Sequence, residues 1–82
     1  MSGFDSFPTL QIGSSGAWVI ILQMLLFDIF KDKVYITIDG SFGSETQDAV
    51  SVVQGMEGLT VDGIVGQAET WPAVIRLWWE GL

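Results

Sequence analysis

The chain spells one short phrase twice: "TIDGSFG" over residues 37–43 and "TVDGIVG" over residues 60–66. In each copy an aspartate precedes a glycine, and that order dictates the local geometry. Asp39 and Asp62 can fold back to accept hydrogen bonds from the backbone beyond them, while Gly40 and Gly63 take a positive φ that other residues resist. The product is a sharp turn out of an extended segment. Gly43 and Gly66 then stand where a helix must begin close against other backbone. Such a sequence launches two helices from two similar loops. The second copy carries one extra residue between its last glycine and Thr70, compared with Gly43 and Thr46 in the first, so its helix start is expected to be looser.

Punctuation elsewhere completes the outline. Gly13-Ser14-Ser15-Gly16 is a turn that offers a serine as N-cap to the apolar run "AWVIILQMLLFDIF", which predicts a first helix from about Ser15 to Phe30. Val19, Leu22, Leu26 and Ile29 fall on one face of it, with Trp18 and Leu25 at the edge. The β-branched and aromatic stretch "KDKVYITID" is expected to be extended and to lead into the first Asp-Gly turn. A second helix is predicted from Ser44 to Met56 or Glu57, with Ala49, Val50, Val53 and Met56 inward and Gly58-Leu59 as its left-handed C-cap. Pro72 lacks a backbone donor and belongs in a first turn, so Thr70 is the expected N-cap of a third helix running from Trp71 to Glu80. The fold class is all-α: a small three-helix bundle with two repeated Asp-Gly turn and helix-start units. Residues 1–9 are read as an N-terminal extension and residues 10–82 as one domain.

Composition removes whole classes of function. An 82-residue chain with 49% hydrophobic content can bury one modest core. With no cysteine and no histidine it has no disulfide framework, no thiol nucleophile, no Cys/His zinc site and no serine–histidine catalysis. A calcium loop fails on ligand pattern, so neither metal nor cofactor is expected. The formal charge of −7 opposes phosphate backbones, and nucleic acid is not an expected partner. The apolar run of the first helix is broken by Gln23 and Asp28 and is shorter than the roughly 20 residues a membrane span needs. The opening "MSGFDSFPTLQIGSSG" lacks the basic and apolar regions of a secretory signal, so nothing in these residues is expected to direct export.

Three blocks in order carry a resemblance. They are L-x-x-G-S-S-G-x-x-V-x-x-L-Q-x-x-L from Leu10 to Leu26, D-G-x-F-G-x-x-T-x-x-A-V-x-x-V-Q from Asp39 to Gln54, and G-L-x-V-D-G-x-V-G followed by T-W from Gly58 to Trp71. Together they resemble the peptidoglycan-binding domain of bacterial and phage cell-wall enzymes, over nearly the whole chain. The resemblance implies a three-helix bundle whose role is noncatalytic attachment to peptidoglycan, usually beside a hydrolase. Three departures stand out: Val53 where the family usually has phenylalanine, Gln67 where a proline usually follows the glycine, and the extra residue before Thr70.

The candidate ligand residues are Gln54, Asp62, Thr70 and Trp71, and each has a structural alternative. Asp39 and Asp62 read first as loop caps and second as acceptors for stem-peptide amines or sugar hydroxyls. Gln23 and Gln54 follow apolar core positions and read as satisfied structural amides or as ligand contacts. Thr46 and Thr70 read as hydrogen bonders at helix starts, and Trp71 as packing or as a flat face for a sugar ring. Phe42 and Val65 are core.

Helix one carries more apolar surface than two short neighbours can cover. Ile20, Met24 and Phe27 repeat at i, i+4 and i+7 on the side away from Leu22 and Leu26, with Ile21 beside them. Ile75 and Trp79 similarly leave the inward face of helix three. Contiguous apolar patches on small proteins mark contact sites, so a protein partner or self-association is expected there. The functional expectation is a peptidoglycan-binding module that is not an enzyme and forms part of a larger cell-wall-targeting, phage-tail or injection assembly, located at the wall outside the cytoplasm or on such a particle. The alternative is a structural assembly protein that uses the same fold to dock through helices one and three. A small hydrolase is the poorest fit, because a carboxylate pair would need a groove between lobes.

Overall fold

Three helices follow one another along the chain: α1 (Ala17–Phe30), α2 (Ser44–Met56) and α3 (Thr70–Glu80). The structure, a computed structural model, describes residues 6–81; residues 1–5 of the expected extension, and residue 82, lie outside the described residues. Each helix packs on both others, giving the all-α bundle. Val19, Leu22, Leu26 and Phe30 repeat at helical spacing on α1 and are buried; Ile29 is half-buried beside them. They meet Ala49, Val50 and Val53 of α2 and Trp71, Ala73 and Val74 of α3, and Leu10, Ile36, Phe42 and Val65 from the connections close the core. Each large apolar side chain taken fully from water here contributes roughly 1.5–3 kcal/mol.

The helix starts differ from expectation. No serine caps α1: Gly16 stands at its N-cap with φ 111°, and the helix begins at Ala17. The cause is tertiary pairing. Gly16 N–H donates to Gly40 O at 3.0 Å, Gly13 N–H to Phe42 O at 3.0 Å, and Phe42 N–H to Ser14 O at 2.9 Å, so residues 13–16 run antiparallel to the first loop. The same segment reaches the second loop through Leu10, which exchanges hydrogen bonds of 3.0 and 2.8 Å with Val65. One short stretch of chain thus ties both loops together. Thr70 is the first residue of α3, not its N-cap; Glu69 holds that position without a side-chain cap bond.

The extra residue of the second loop appears as a wider turn. Gln47 N–H donates to Gly43 O at 3.0 Å, whereas the equivalent Trp71 N–H donates to Gly66 O at 3.0 Å across one residue more. Pro72 lies in the first turn of α3, where its missing N–H costs no intrahelical bond. At the other end of α2, Gly58 has φ 69°, Leu59 N–H donates to Gln54 O at 2.8 Å and Gly58 N–H to Gly55 O at 3.3 Å, a Schellman ending. Leu59 then folds back against the core. Met56, expected inward, is exposed, because the chain leaves the helix there and Leu59 occupies the inner side. Residues 31–39, expected extended, form no strand, and residues 31–32 turn directly after α1.

Candidate functional site

Two buried glutamines organise the two loops. Gln23 leaves the inner side of α1 with no exposed surface. Its Oε1 accepts from Asp39 N–H at 3.0 Å and Gly40 N–H at 2.9 Å. Its Nε2 lies 3.1 Å from Asp39 Oδ1, Ser41 O and Thr46 Oγ1 alike. Gln54 repeats the arrangement one helix later. Its Oε1 accepts from Asp62 N–H at 3.1 Å and Gly63 N–H at 3.0 Å, while Nε2 reaches Asp62 Oδ1 at 2.8 Å, Ile64 O at 3.0 Å and Thr70 Oγ1 at 3.1 Å. An amide has two N–H donors, so three acceptors saturate each nitrogen. Gly40 and Gly63, at φ 76° and 72°, bring their N–H groups round to these amides.

The aspartates complete each turn. Asp39 Oδ1 accepts from Ser41 N–H and Asp62 Oδ1 from Ile64 N–H, both at 2.9 Å. The Ser41 N–H first and then the Gln23 amide hold the Asp39 carboxyl below the usual carboxylate range, against desolvation, with its own backbone N–H adding least. Asp62 is lowered the same way, by Ile64 N–H first and the Gln54 amide second. Hydrogen bonds that favour the charged form are the cause in both.

The four sequence-predicted ligand residues therefore share one neighbourhood but not one exposure. Gln54, Asp62 and Thr70 form a single hydrogen-bonded unit in which Asp62 alone is exposed. Trp71 follows in α3 with its ring buried; its Nε1–H donates to Pro8 O at 2.7 Å, and Phe7 and Trp18 meet it edge-on at 5.0 and 5.9 Å. Phe7 and Pro8, read from sequence as part of an extension, thus pack on the domain. Among the candidate interface residues Ile20, Ile21, Met24 and Phe27 are 39–52% exposed on α1. On α3, Trp79 is exposed beside Trp78, their rings 6.5 Å apart, and Ile75 is half-buried.

A feature that sequence reasoning missed lies where α1 ends. A groove of about 730 Å³ opens between the last turn of α1 and the segment after it. Phe27, Val34, Tyr35 and Ile36 make its apolar walls, and Asp28, Lys31 and Asp32 bring charge. Trp78 Nε1–H donates to Asp28 Oδ2 at 3.0 Å and ties α3 to this end of α1. The one sequence signal was the mixed-charge "KDK" run directly after an apolar helix. No group of three or more metal-ligating side chains gathers among the described residues, and no helix there is long and apolar enough to cross a membrane.

The lowered carboxyls set a pH dependence. Their folded pKa lies below the unfolded value of about 3.9, so the stability they add is fully present above that value and is lost as pH falls through the folded pKa. Asp39→Asn combined with Asp62→Asn should lower Tm by a constant amount above about pH 5, and the gap to the unaltered chain should close below about pH 4. Melting curves across that range check this, and an equal gap at both ends would contradict it.

Comparison with known proteins agrees with this architecture. The family described as "Putative peptidoglycan binding domain" matches residues 15–71. The zinc D-Ala-D-Ala carboxypeptidase of Streptomyces albus G is 42% identical over 60 residues, which are 73% of this chain and 24% of that enzyme, so the chain spans about a quarter of this relative. Among solved structures, the SleB N-terminal domain superposes with a TM-score of 0.76 at 33% identity, covering 89% of this chain and 96% of that one. A peptidoglycan-binding protein from Clostridioides difficile, solved in complex with glutamine hydroxamate, gives a TM-score of 0.76 at 38% identity, over 87% of this chain and 42% of that one. With three helices, two glutamine-braced loops and a family match over most of its length, the chain belongs to the peptidoglycan-binding domain family.

Proposed function

We propose that the chain is a noncatalytic module that attaches to peptidoglycan and serves as a subunit of a larger assembly acting at the cell wall. The observation that carries this reading is the family match over residues 15–71, joined to a superposition that takes in nearly all of the SleB N-terminal domain. The noncatalytic part rests on residue types. Without histidine or cysteine the chain offers none of the usual nitrogen or thiolate ligands of a catalytic zinc, and its match to the carboxypeptidase covers only the part of that enzyme a binding module would fill. Within the second loop, exposed Asp62 is one ligand-facing group; the Gln54 amide holds its carboxylate, Thr70 Oγ1 anchors that amide at the start of α3, and Trp71 follows in the same helix. The setting is the wall outside the cytoplasm or a phage or injection particle that reaches it.

Co-sedimentation with purified peptidoglycan sacculi tests the central reading. The chain should pellet with the sacculi and release no muropeptides. Binding should persist at moderate salt, because a chain at −7 does not rely on attraction to an anionic wall. Protein left wholly in the supernatant would reject attachment, and soluble muropeptides would reject the noncatalytic role.

The exposed stripe on α1 favours a second reading alongside the first: the module docks onto a protein partner or another copy of itself. Ile20, Ile21, Met24 and Phe27 are large, apolar and adjacent, and covering each fully is worth roughly 1.5–3 kcal/mol. Ile20→Glu with Met24→Lys should leave the helical circular-dichroism signal intact and convert any larger species to monomer in analytical sedimentation. A chain that runs as a monomer at high concentration, and brings nothing with it from its native extract, would remove this reading.

A further inference from the structure

The groove at the end of α1 has the attributes of a built ligand site, and none of the residues that brace the two loops lines it. Its volume of about 730 Å³ falls within the range typical of small-ligand sites, roughly 300–1,000 Å³, which are concave, mainly apolar and furnished with a few polar groups. Tyr35 stands 77% exposed and Phe27 47% exposed at its walls. Neither is needed to fill the core.

Charge at the rim indicates what fits. Asp28, Lys31 and Asp32 bring two carboxylates and an ammonium to it, and Asp28 already accepts from Trp78 Nε1–H. Both ion pairs among the described residues belong to Arg76, so Lys31 has no carboxylate partner and its charge is open to a ligand. Lys31 is also the one non-glycine residue with positive φ among those described, at φ 56° and ψ −112°. Its N–H is held to Phe27 O at 2.7 Å, and Lys33 N–H to Phe30 O at 2.9 Å, so the turn is fixed despite a conformation that side chains resist. Backbone strain of this kind clusters where a residue must be aimed.

We propose that this groove holds the peptide stem of peptidoglycan, with Lys31 receiving a stem carboxylate, Asp32 its free amine, and Tyr35 with Phe27 the methyl-bearing backbone between them. The inference rests on the chain attaching to peptidoglycan and names the moiety recognised. A stem peptide carries carboxylates and an amine within a few residues, alternating with small apolar side chains, which matches both signs on the rim and the apolar floor. A glycan strand is neutral along its sugars and leaves the ammonium without a counter-charge. The groove also lacks neutral amide side chains, and its one hydroxyl is the Tyr35 phenol, whereas sugar sites are usually rich in such groups.

Amide chemical-shift mapping on the full chain tests this, with the tripeptide L-Ala-γ-D-Glu-diaminopimelate and an N-acetylglucosamine tetramer as probes, beside sacculus co-sedimentation. The tripeptide should shift the amides of residues 31–36 saturably and the tetramer should not. Tyr35→Ala and Lys31→Glu, each checked for an unchanged helical signal, should weaken tripeptide affinity by about tenfold or more. If both variants and the unaltered chain bind sacculi and tripeptide alike, the groove is not the site while wall attachment stands. Shifts here from the tetramer alone would overturn the choice of stem over glycan. Failure of the unaltered chain to pellet with sacculi would instead overturn the attachment on which the inference rests.

Discussion

The arrangement depends on burying two primary amides without leaving any of their hydrogen-bonding capacity unused. A carboxamide removed from water and left unpartnered costs on the order of 1–3 kcal/mol per group, so such a residue persists inside a small bundle only when its surroundings are built to meet it. Gln23 and Gln54 are met in the same five ways. No buried side-chain nitrogen or oxygen among the described residues lacks a partner. Each amide rises from one helix, clasps the Asp-Gly loop that follows, and ends on the threonine at the start of the next helix. Gln23 joins α1 to α2 and Gln54 joins α2 to α3. Two such clasps in series, with residues 10–16 paired to both loops, set the positions of three helices whose own packing surfaces are short.

This use of polar groups divides the surface from the frame. The glutamines and the threonine hydroxyls are spent inside, while Asp39, Ser41 and Ser44 at the first loop and Asp62 at the second stay exposed. Elsewhere the chain leaves two kinds of surface over. One is the apolar outer side of α1, which the bundle is too small to cover. The other is the groove beyond Phe27, where the helix ends on a strained lysine and the return segment stands off from it. A binding module needs a rigid frame and an unsatisfied surface, and the two are supplied here by different residues.

How much of this was legible in the sequence varies with the range of the forces involved. The C-cap of α2 could be read because Gly58 acts locally, through a left-handed backbone geometry that needs no tertiary partner. Gly43 and Gly66, expected to start helices close against other backbone, instead have open space beside them, and Gly43 is in an extended conformation any residue can take. The first residues of α1 and α3 were misread for the opposite reason. Ser15 and Thr70 are good caps in isolation, but residues 13–16 are drawn into pairing with the first loop and the Thr70 hydroxyl goes to Gln54. Met56 kept helical register with the core and yet lay past its end. The two glutamines could be placed beside apolar positions but not assigned between structure and ligand, since that choice turns on whether every donor and acceptor is filled. The groove was invisible, because its walls come from the end of a helix and from a segment whose path no local rule fixes.

Urea unfolding of the Gln54→Leu variant tests the central claim most directly. Leucine keeps the volume and the helix propensity, so what it removes is the clasp: the N–H groups of Asp62 and Gly63 and the Ile64 carbonyl lose their partner together. The account predicts a loss of roughly 2–4 kcal/mol in unfolding free energy with a slope close to that of the unaltered chain. A variant that unfolds at the same urea concentration as the parent would show that the buried amide does not hold the loops, and the account would be wrong at its base.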